Sequence, residues 1–307
     1  MYLYLPVALT SINILIPVGL GLAVGLLSGL FGVGGGFLLT PLLIMFGIPS
    51  TVAAATDSNQ IVAASTSGTY AHWKVGNVDF KMGLYLLAGG FIGGIVGVQA
   101  IKLLHAMGNA DFVIKITYIL MLGIVGIYMF IESLQSMRKK KSAVVEVKEE
   151  KESTAGRFLK SLPLQTHFVK SGITHSVFVP IVLGGFVGIL AAIMGVGGGF
   201  LMVPIMVYML RMPMHVVVGT SLFQILFTCI EVTFLQAYTN HSVDFILAVL
   251  LLLGSTVGAQ IGAVFGRKLK AEQLKILLAG IVLVVTVKII FEITLSPALL
   301  LTQAGGH

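Results

Sequence analysis

The chain has 307 residues, of which 57% are hydrophobic and 10% charged, with a mean hydropathy of +1.02 and a formal net charge of +7. A soluble domain carries roughly 45–50% apolar and about 25% charged residues, so these values exclude a soluble globular protein and indicate one embedded in a bilayer. Apolar stretches of about 20 residues recur, and backbone in hydrocarbon must satisfy its own polar groups, which predicts an all-α membrane protein rather than a β-barrel of short alternating strands.

The basic residues fall mostly in loops, where they set orientation rather than recognise nucleic acid. The single cysteine, Cys229, lies in an apolar segment and excludes an internal disulfide or a cysteine metal cluster. No metal and no cofactor is expected. The opening MYLYLPVALTSINILIPVGLG lacks a basic n-region and a small-residue cleavage site, so it reads as retained sequence.

In chain order, a Gly-broken element from about 17 to 47 contains FGVGGGFLLTP at 31–41, and three spans follow at roughly 51–72, 80–103 and 112–134. A polar stretch from about 134 to 175 includes RKKKSAVVEVKEEKESTAGRFLK; its THFVKSGITHSVF segment alternates around Ser171-Gly172 as a small β-hairpin would. A second broken element carries MGVGGGFLMVP at 194–204, followed by spans at roughly 214–238, 245–266 and 273–295.

The chain is a tandem duplication. Pro17 matches Pro180, Gly32 to Phe37 match Gly195 to Phe200, and Pro41 matches Pro204 at one offset; after one insertion Pro49, Thr56 and Gln60 match Pro213, Thr220 and Gln224. After a second insertion Val78-Asp79-Phe80 matches Val243-Asp244-Phe245, and Gly93 and Gly97 match Gly258 and Gly262. The expected organisation is a first repeat at 1–134, a linker at 135–175 and a second repeat at 176–307.

Nine Lys and Arg place the linker on the cytoplasmic side, and GRKLKAEQLK near 266–275 joins it there. Counting spans back from 266 brings residue 214 inside too, so the segment from 176 to 212 enters and leaves by one face. Its arms, about 15 and 11 residues, rise about 22 and 16 Å, which falls short of about 30 Å of hydrocarbon. The same count on the first repeat gives a re-entrant hairpin from the opposite face. The expectation is two inverted-topology repeats, each a re-entrant Gly-broken helical hairpin plus three transmembrane helices, with both termini outside.

Two such hairpins would bring their GVGGG tips together near the midplane. Non-helical backbone at that depth is tolerated where it is buried in protein or lines a polar cavity, and glycine permits both positive φ and close approach. The helix after each tip points its N-terminus at the centre, where unpaired N–H groups and the positive dipole end favour an anion. A dinucleotide fingerprint is excluded because Phe37 and Phe200 occupy the third glycine position and no strand precedes them. Close helix packing alone is the competing explanation, and it suits Gly93 and Gly258 better than three consecutive glycines.

The candidate substrate-binding residues are therefore Gly34, Gly35 and Gly36 with Thr56, Asn59 and Gln60 in the first repeat, and Gly197, Gly198 and Gly199 with Thr220, Ser221 and Gln224 in the second. Thr56 and Gln60 are four apart, as are Thr220 and Gln224, so each pair shares one helix face; bonding between helices as structural glue is the other reading. Asp57 and Glu231 are the carboxylates within these spans, and an acid beside an anion site repels the substrate unless protonated. They are the proton-coupling candidates, Asp57 ahead of Glu231, which could instead pair with a neighbouring helix. His72, Trp73 and Lys74 read as an interfacial anchor rather than a catalytic group.

At these residues the sequence resembles the sulfite exporter TauE/SafE family, also called the toluene sulfonate uptake permeases. The likeness covers GLLSGLFGVGGGFLLTPLLIMFGIP with ATDSNQ, then GILAAIMGVGGGFLMVPIMVYMLRMP with VVVGTSLFQ and GAQIGAVFGRKL. The resemblance implies a transporter of small sulfur-containing anions such as sulfite, sulfonates or sulfoacetate across a prokaryotic cytoplasmic membrane, with neither direction fixed. An anion channel, or a carrier of carboxylates, is the alternative. The partners expected are a small anion and the lipid bilayer, and no enzymatic activity is expected, since neither HExxH nor a Cys/His set is present.

Overall fold

The structure is a computed structural model that describes residues 2–31, 36–139, 163–266 and 271–295. The chain opens on a β-hairpin, β1 (Tyr2–Leu5) and β2 (Thr10–Asn13), with Tyr2 opposite Asn13 and Leu5 opposite Thr10. Then come α1 (Leu15–Phe31), α2 (Gly36–Met45), α3 (Ser50–Lys74), α4 (Phe80–Ala106) and α5 (Ala110–Lys139). The second repeat runs in the same order: β3 (Gln165–Phe168), β4 (Ile173–Ser176), α6 (Phe178–Met194), α7 (Gly199–Pro204), α8 (Met214–Leu235), α9 (Phe245–Gly266) and α10 (Ala271–Leu295).

The β-hairpin around Ser171-Gly172 is present and leads directly into α6. Its counterpart at residues 2–13 was not anticipated. Gly172 turns at φ +66, and Leu9, its equivalent in the first repeat, takes φ +51 despite its side chain. A leucine in that conformation conceals a turn that glycine announces. The basic stretch from Lys140 to Ser161 lies outside the described residues.

Two single-residue insertions separate the repeats, and each appears as a π-helical turn. Ile205–Met209 follows α7 where α2 runs on as a regular helix, and Gln236–Asn240 follows α8 where α3 continues unbroken. One extra residue in a helix is accommodated by a widened turn of this kind. Both π-turns fall in the second repeat, so its register with the first holds at offset 164 through the whole of α8 up to Gln236.

The repeats interlock. α1 packs along α9 and α4 packs along α6, so each close pair takes one helix from each repeat; α3 packs on α8 and α5 on α10. In the first two pairs glycine lets backbone meet backbone. A Cβ at Gly93 would sit 2.8 Å from the carbonyl carbon of Gly185 and 2.9 Å from the nitrogen of Ile189; at Gly258 it would sit 2.8 Å from the nitrogen of Leu26. No rotamer layer lies between these helices to absorb sliding, so each pair is a stiff unit. α3 and α8 meet through side chains instead, with Ile61, Ile225 and Cys229 forming a small buried cluster.

Four of the described helical segments are long and apolar enough to cross a membrane: Phe80–Ala106, Ala110–Tyr128, Met214–Asn240 and Phe245–Gly262. α3 has the length, 25 residues, but Thr56 to Gln60 and the serines and threonines after them lower its hydropathy. Large apolar side chains stand exposed along the outer faces, among them Leu84 and Ile92 on α4 and Val284 and Phe291 on α10. An apolar surface this continuous suits contact with lipid tails.

Candidate functional site

The second glycine tip shows why the motif needs its glycines. α6 stops at Gly195 in the left-handed region (φ +71), Gly197 and Gly198 follow at +67 and +75, and the helix restarts at Gly199. Each such conformation costs an ordinary residue about 1–2 kcal/mol. Space is short as well. A Cβ on Gly197 would lie 2.5 Å from the sulfur of Cys229, and one on Gly195 would overlap the Ala54 backbone. Gly32 to Gly35, including the candidates Gly34 and Gly35, lie outside the described residues.

Helices of the first repeat hold this second tip. Ser58 Oγ donates to the Gly195 carbonyl at 3.2 Å, and the Tyr118 hydroxyl of α5 donates to the Met194 carbonyl at the end of α6. The residues that follow the two glycine runs meet face to face. Phe37 and Phe200, the residues that follow the glycines, stack with ring centroids 4.6 Å apart and an interplanar angle of 15°. Both rings are buried.

A carboxyl group is bonded to α2. Asp57 Oδ2 accepts from the Thr40 backbone N–H at 3.2 Å and from Thr40 Oγ1 at 2.7 Å, while Oδ1 is buried without a partner, 3.4 Å from where a Cβ on Gly36 would stand. Thr40 lies in the first turns of α2, so the carboxyl takes up part of the positive end that the sequence assigns to a ligand. In the second repeat Ser221 occupies the equivalent position, and its hydroxyl donates back to the Val218 carbonyl at 3.0 Å. The two repeats therefore differ here in chemistry, a carboxyl in the first standing where the second has a hydroxyl.

Thr40→Val removes the shorter of these bonds within an unchanged volume and should cost about 1–3 kcal/mol. Thermal unfolding in detergent reads the loss. Thr117→Val, which deletes only a bond back to Val113 of its own helix, is the control that should shift the midpoint far less.

Thr56 and Thr220 face the partner repeat. Thr56 Oγ1 accepts from the Asp244 N–H at 3.1 Å, and Thr220 Oγ1 accepts from the Asp79 N–H at 3.0 Å. Those aspartates in turn start α9 and α4. Asp244 accepts from Leu247 N and Val7 N, and Asp79 accepts from Met82 N, Ser171 N and Ser171 Oγ. The duplicated Val-Asp-Phe was visible in the sequence ahead of an apolar run, which is where an N-cap belongs; its bridge to the β-hairpin was not.

Gln60 and Gln224 lie on α3 and α8, which pack together. Both are buried, and both side-chain carbonyl oxygens lack a partner, although Gln224 Nε2 donates to Thr228 Oγ1 at 2.9 Å. Asn59 is half-buried beside them in α3. Buried acceptors left open within a helix bundle are places where a ligand or water completes the bonding. Glu231 Oε2, on the same face of α8 as Gln224 and Thr228, is buried without a partner. Trp73 is exposed at the end of α3, where Lys74 Nζ lies 4.6 Å over the Tyr70 ring, an arrangement suited to a membrane interface.

Comparison with known proteins gives a consistent picture. The sequence profile named Sulfite exporter TauE/SafE matches residues 18–289. The chain is 29% identical over 272 residues to "Probable membrane transporter protein YjnA" of Bacillus subtilis, covering 88% of this chain and 97% of that protein. It is 26% identical over 292 residues to "Probable membrane transporter protein YunE" of the same species, covering 91% and 98%. "Sulfite exporter TauE/SafE family protein 3" of Arabidopsis thaliana is 30% identical over 97 residues, which are 31% of this chain and 20% of that protein. No solved structure matches the chain.

Proposed function

Because the chain belongs to the sulfite exporter TauE/SafE family, we propose that it is a secondary transporter of small sulfur-containing anions, such as sulfite, sulfonates or sulfoacetate-like compounds, in a prokaryotic cytoplasmic membrane. The observation that carries this reading is the stack of Phe37 on Phe200, which joins the residues that follow the two glycine runs, together with the buried open acceptors of Gln60 and Gln224 on the packed helices α3 and α8. The repeats lie inverted across the membrane, with the linker at 135–175 cytoplasmic and both termini outside.

Asp57 sharpens where the anion goes. The start of α2 already bonds the Asp57 carboxyl through Thr40, so the substrate is assigned to the second glycine run, Gly197, Gly198 and Gly199, with Thr220, Ser221 and Gln224 supplied by α8. Gly36, Thr56, Asn59 and Gln60 are assigned to the first repeat's side of the site. Alternating access then consists of rocking of the glycine-packed pairs α1/α9 and α4/α6, each of which carries one tip, about the central α3 and α8. Coupling to protons falls to an acid within these helices, Asp57 or Glu231.

Thermal stabilisation of the purified protein by sulfite, thiosulfate, sulfonates and carboxylates tests the substrate class, since a ligand at 100 times its Kd stabilises by about 2.7 kcal/mol. Sulfur anions should raise the melting temperature and carboxylates should not. In proteoliposomes the same anions should show saturable counterflow. Stabilisation by carboxylates alone overturns the substrate, and large single-channel currents without counterflow overturn the carrier.

A further inference from the structure

The repeats agree at Thr56/Thr220 and Gln60/Gln224 and part company at the two acids. Asp57 stands opposite Ser221, and Glu231 stands opposite Ser67 at the same offset of 164. The π-turn that breaks register comes after Glu231, at Gln236–Asn240, so the second correspondence is sound. A fold built twice, with serine at each position in one copy, has no architectural need of either carboxylate. Their reasons are local.

Asp57 has its reason in the two bonds from Thr40. Glu231 has none. Its Oε2 is buried with no partner and lies 2.8 Å from where a Cβ on Gly94 would stand. α4 presents glycine to α8 throughout this seam: Gly83 against Phe223, Gly90 against Gln224 and Thr228, Gly94 against Glu231. Gln224, Thr228 and Glu231, spaced four and three apart, form one polar stripe on α8 against a wall without side chains.

The ionisable groups around it are few. α4 faces Glu231 with glycine and keeps Lys81, Lys102 and His105 toward its ends, and α6 has no ionisable residue. α3 contributes Asp57 near its start and Tyr70, His72 and Lys74 near its end, and Cys229 lies buried on α8 itself. Glu231 as a whole is half-buried, and its enclosed Oε2 has neither a cation nor a hydrogen bond; a charge held there is costly at membrane depth, whereas a neutral acid is less so.

We propose that Glu231 is the group that carries the coupling proton, in the seam between α4 and α8, and that Asp57 is a fixed latch on α2 through Thr40. This rests on the carrier reading above. The proton comes from water at one face, forms an O–H bond on the Glu231 carboxylate while the seam is closed, and returns to water at the other face. No further donor is consumed. Rocking of α4 with α6 away from α8 opens the seam, so one movement exposes both the proton site and the second tip.

The test uses proteoliposomes with labelled sulfite as the probe, comparing wild type with Glu231→Gln, Glu231→Ser, which is the first repeat's own residue, and Glu231→Asp. Accumulation driven by a pH gradient should fall at least tenfold in the Gln and Ser variants and return in part with Asp, while sulfite counterflow persists in all of them. Accumulation that survives in Glu231→Gln, or that follows a sodium gradient in the wild type, overturns the proposal and leaves the carrier standing. Absence of counterflow in the wild type overturns the carrier instead. Infrared difference spectra between acid and alkaline buffer decide the proton site independently of sulfite: a protonated-carboxyl band should vanish in Glu231→Gln and remain in Asp57→Asn, and the reverse pattern overturns the assignment.

Discussion

Gly195→Ala should abolish the native fold, whereas Gly47→Ala should leave it intact with a loss of about 1–2 kcal/mol. Both glycines have positive φ, +71 and +85, so both substitutions carry the left-handed penalty of about 1–2 kcal/mol. The difference is what surrounds them. A Cβ at Gly47 meets nothing within 4 Å, while one at Gly195 would overlap the carbonyl of Ala54 and stand 2.5 Å from its Cα.

Backbone cannot step aside as a side chain can. Relieving the Gly195 overlap would pull α6 off α3, break the Ser58 bond to the Gly195 carbonyl and withdraw Met194 from Tyr118. Those losses together reach the whole stability of a typical domain, about 5–15 kcal/mol. Folded yield by size-exclusion chromatography in detergent, with a melting curve for whatever folds, separates the two. A Gly195→Ala protein that melts within a few degrees of Gly47→Ala would show that the second tip does not need the close approach to α3.

The same tip shows how far the sequence carries. Its glycines, duplicated at one offset, were enough to locate both broken helices, because a Gly run inside apolar sequence has few other physical uses; the stacking of Phe37 on Phe200 beside them was not foreseen. The positions of the long helices followed from length and hydropathy, and the hairpin at Ser171-Gly172 from its turn residues. The hairpin at residues 2–13 did not, since Leu9 holds a conformation that its side chain disfavours.

The polar residues were harder to place than the glycines. Helical spacing put Thr56 on one face with Gln60 and Thr220 with Gln224, yet each threonine bonds the backbone of the opposite repeat, and only the glutamines keep open acceptors. Spacing fixes a face but not what stands across from it. The partner of Asp57, Thr40, lies 17 residues away in another helix, and no local pattern reveals such a pair. The two insertions, by contrast, were legible as one-residue changes of offset, but neither their positions nor their form as π-turns was.

The largest purely side-chain effect is expected at Asp79. Asp79→Ala strips α4 of its N-cap, at about 0.5–2 kcal/mol, and leaves the buried backbone N–H and hydroxyl of Ser171 without an acceptor, at about 1–3 kcal/mol more. Asp244→Ala removes the matching cap of α9 but frees only one donor outside its own helix, Val7 N, so it should cost less by about 1 kcal/mol. Asp79→Asn keeps an acceptor and should recover part of the loss. Because Asp79 and Ser171 come from different repeats, the double mutant Asp79→Ala with Ser171→Ala should fall short of additivity by about 0.5–3 kcal/mol. The same bridge implies that neither repeat melts alone: each β-hairpin leads into the first helix of its own repeat but is pinned to the fourth helix of the other. Scanning calorimetry should therefore give one transition for the wild type and one, lower, for Asp79→Ala. Two resolved transitions in the wild type would mean that the repeats fold separately and that these buried caps do not bind them together.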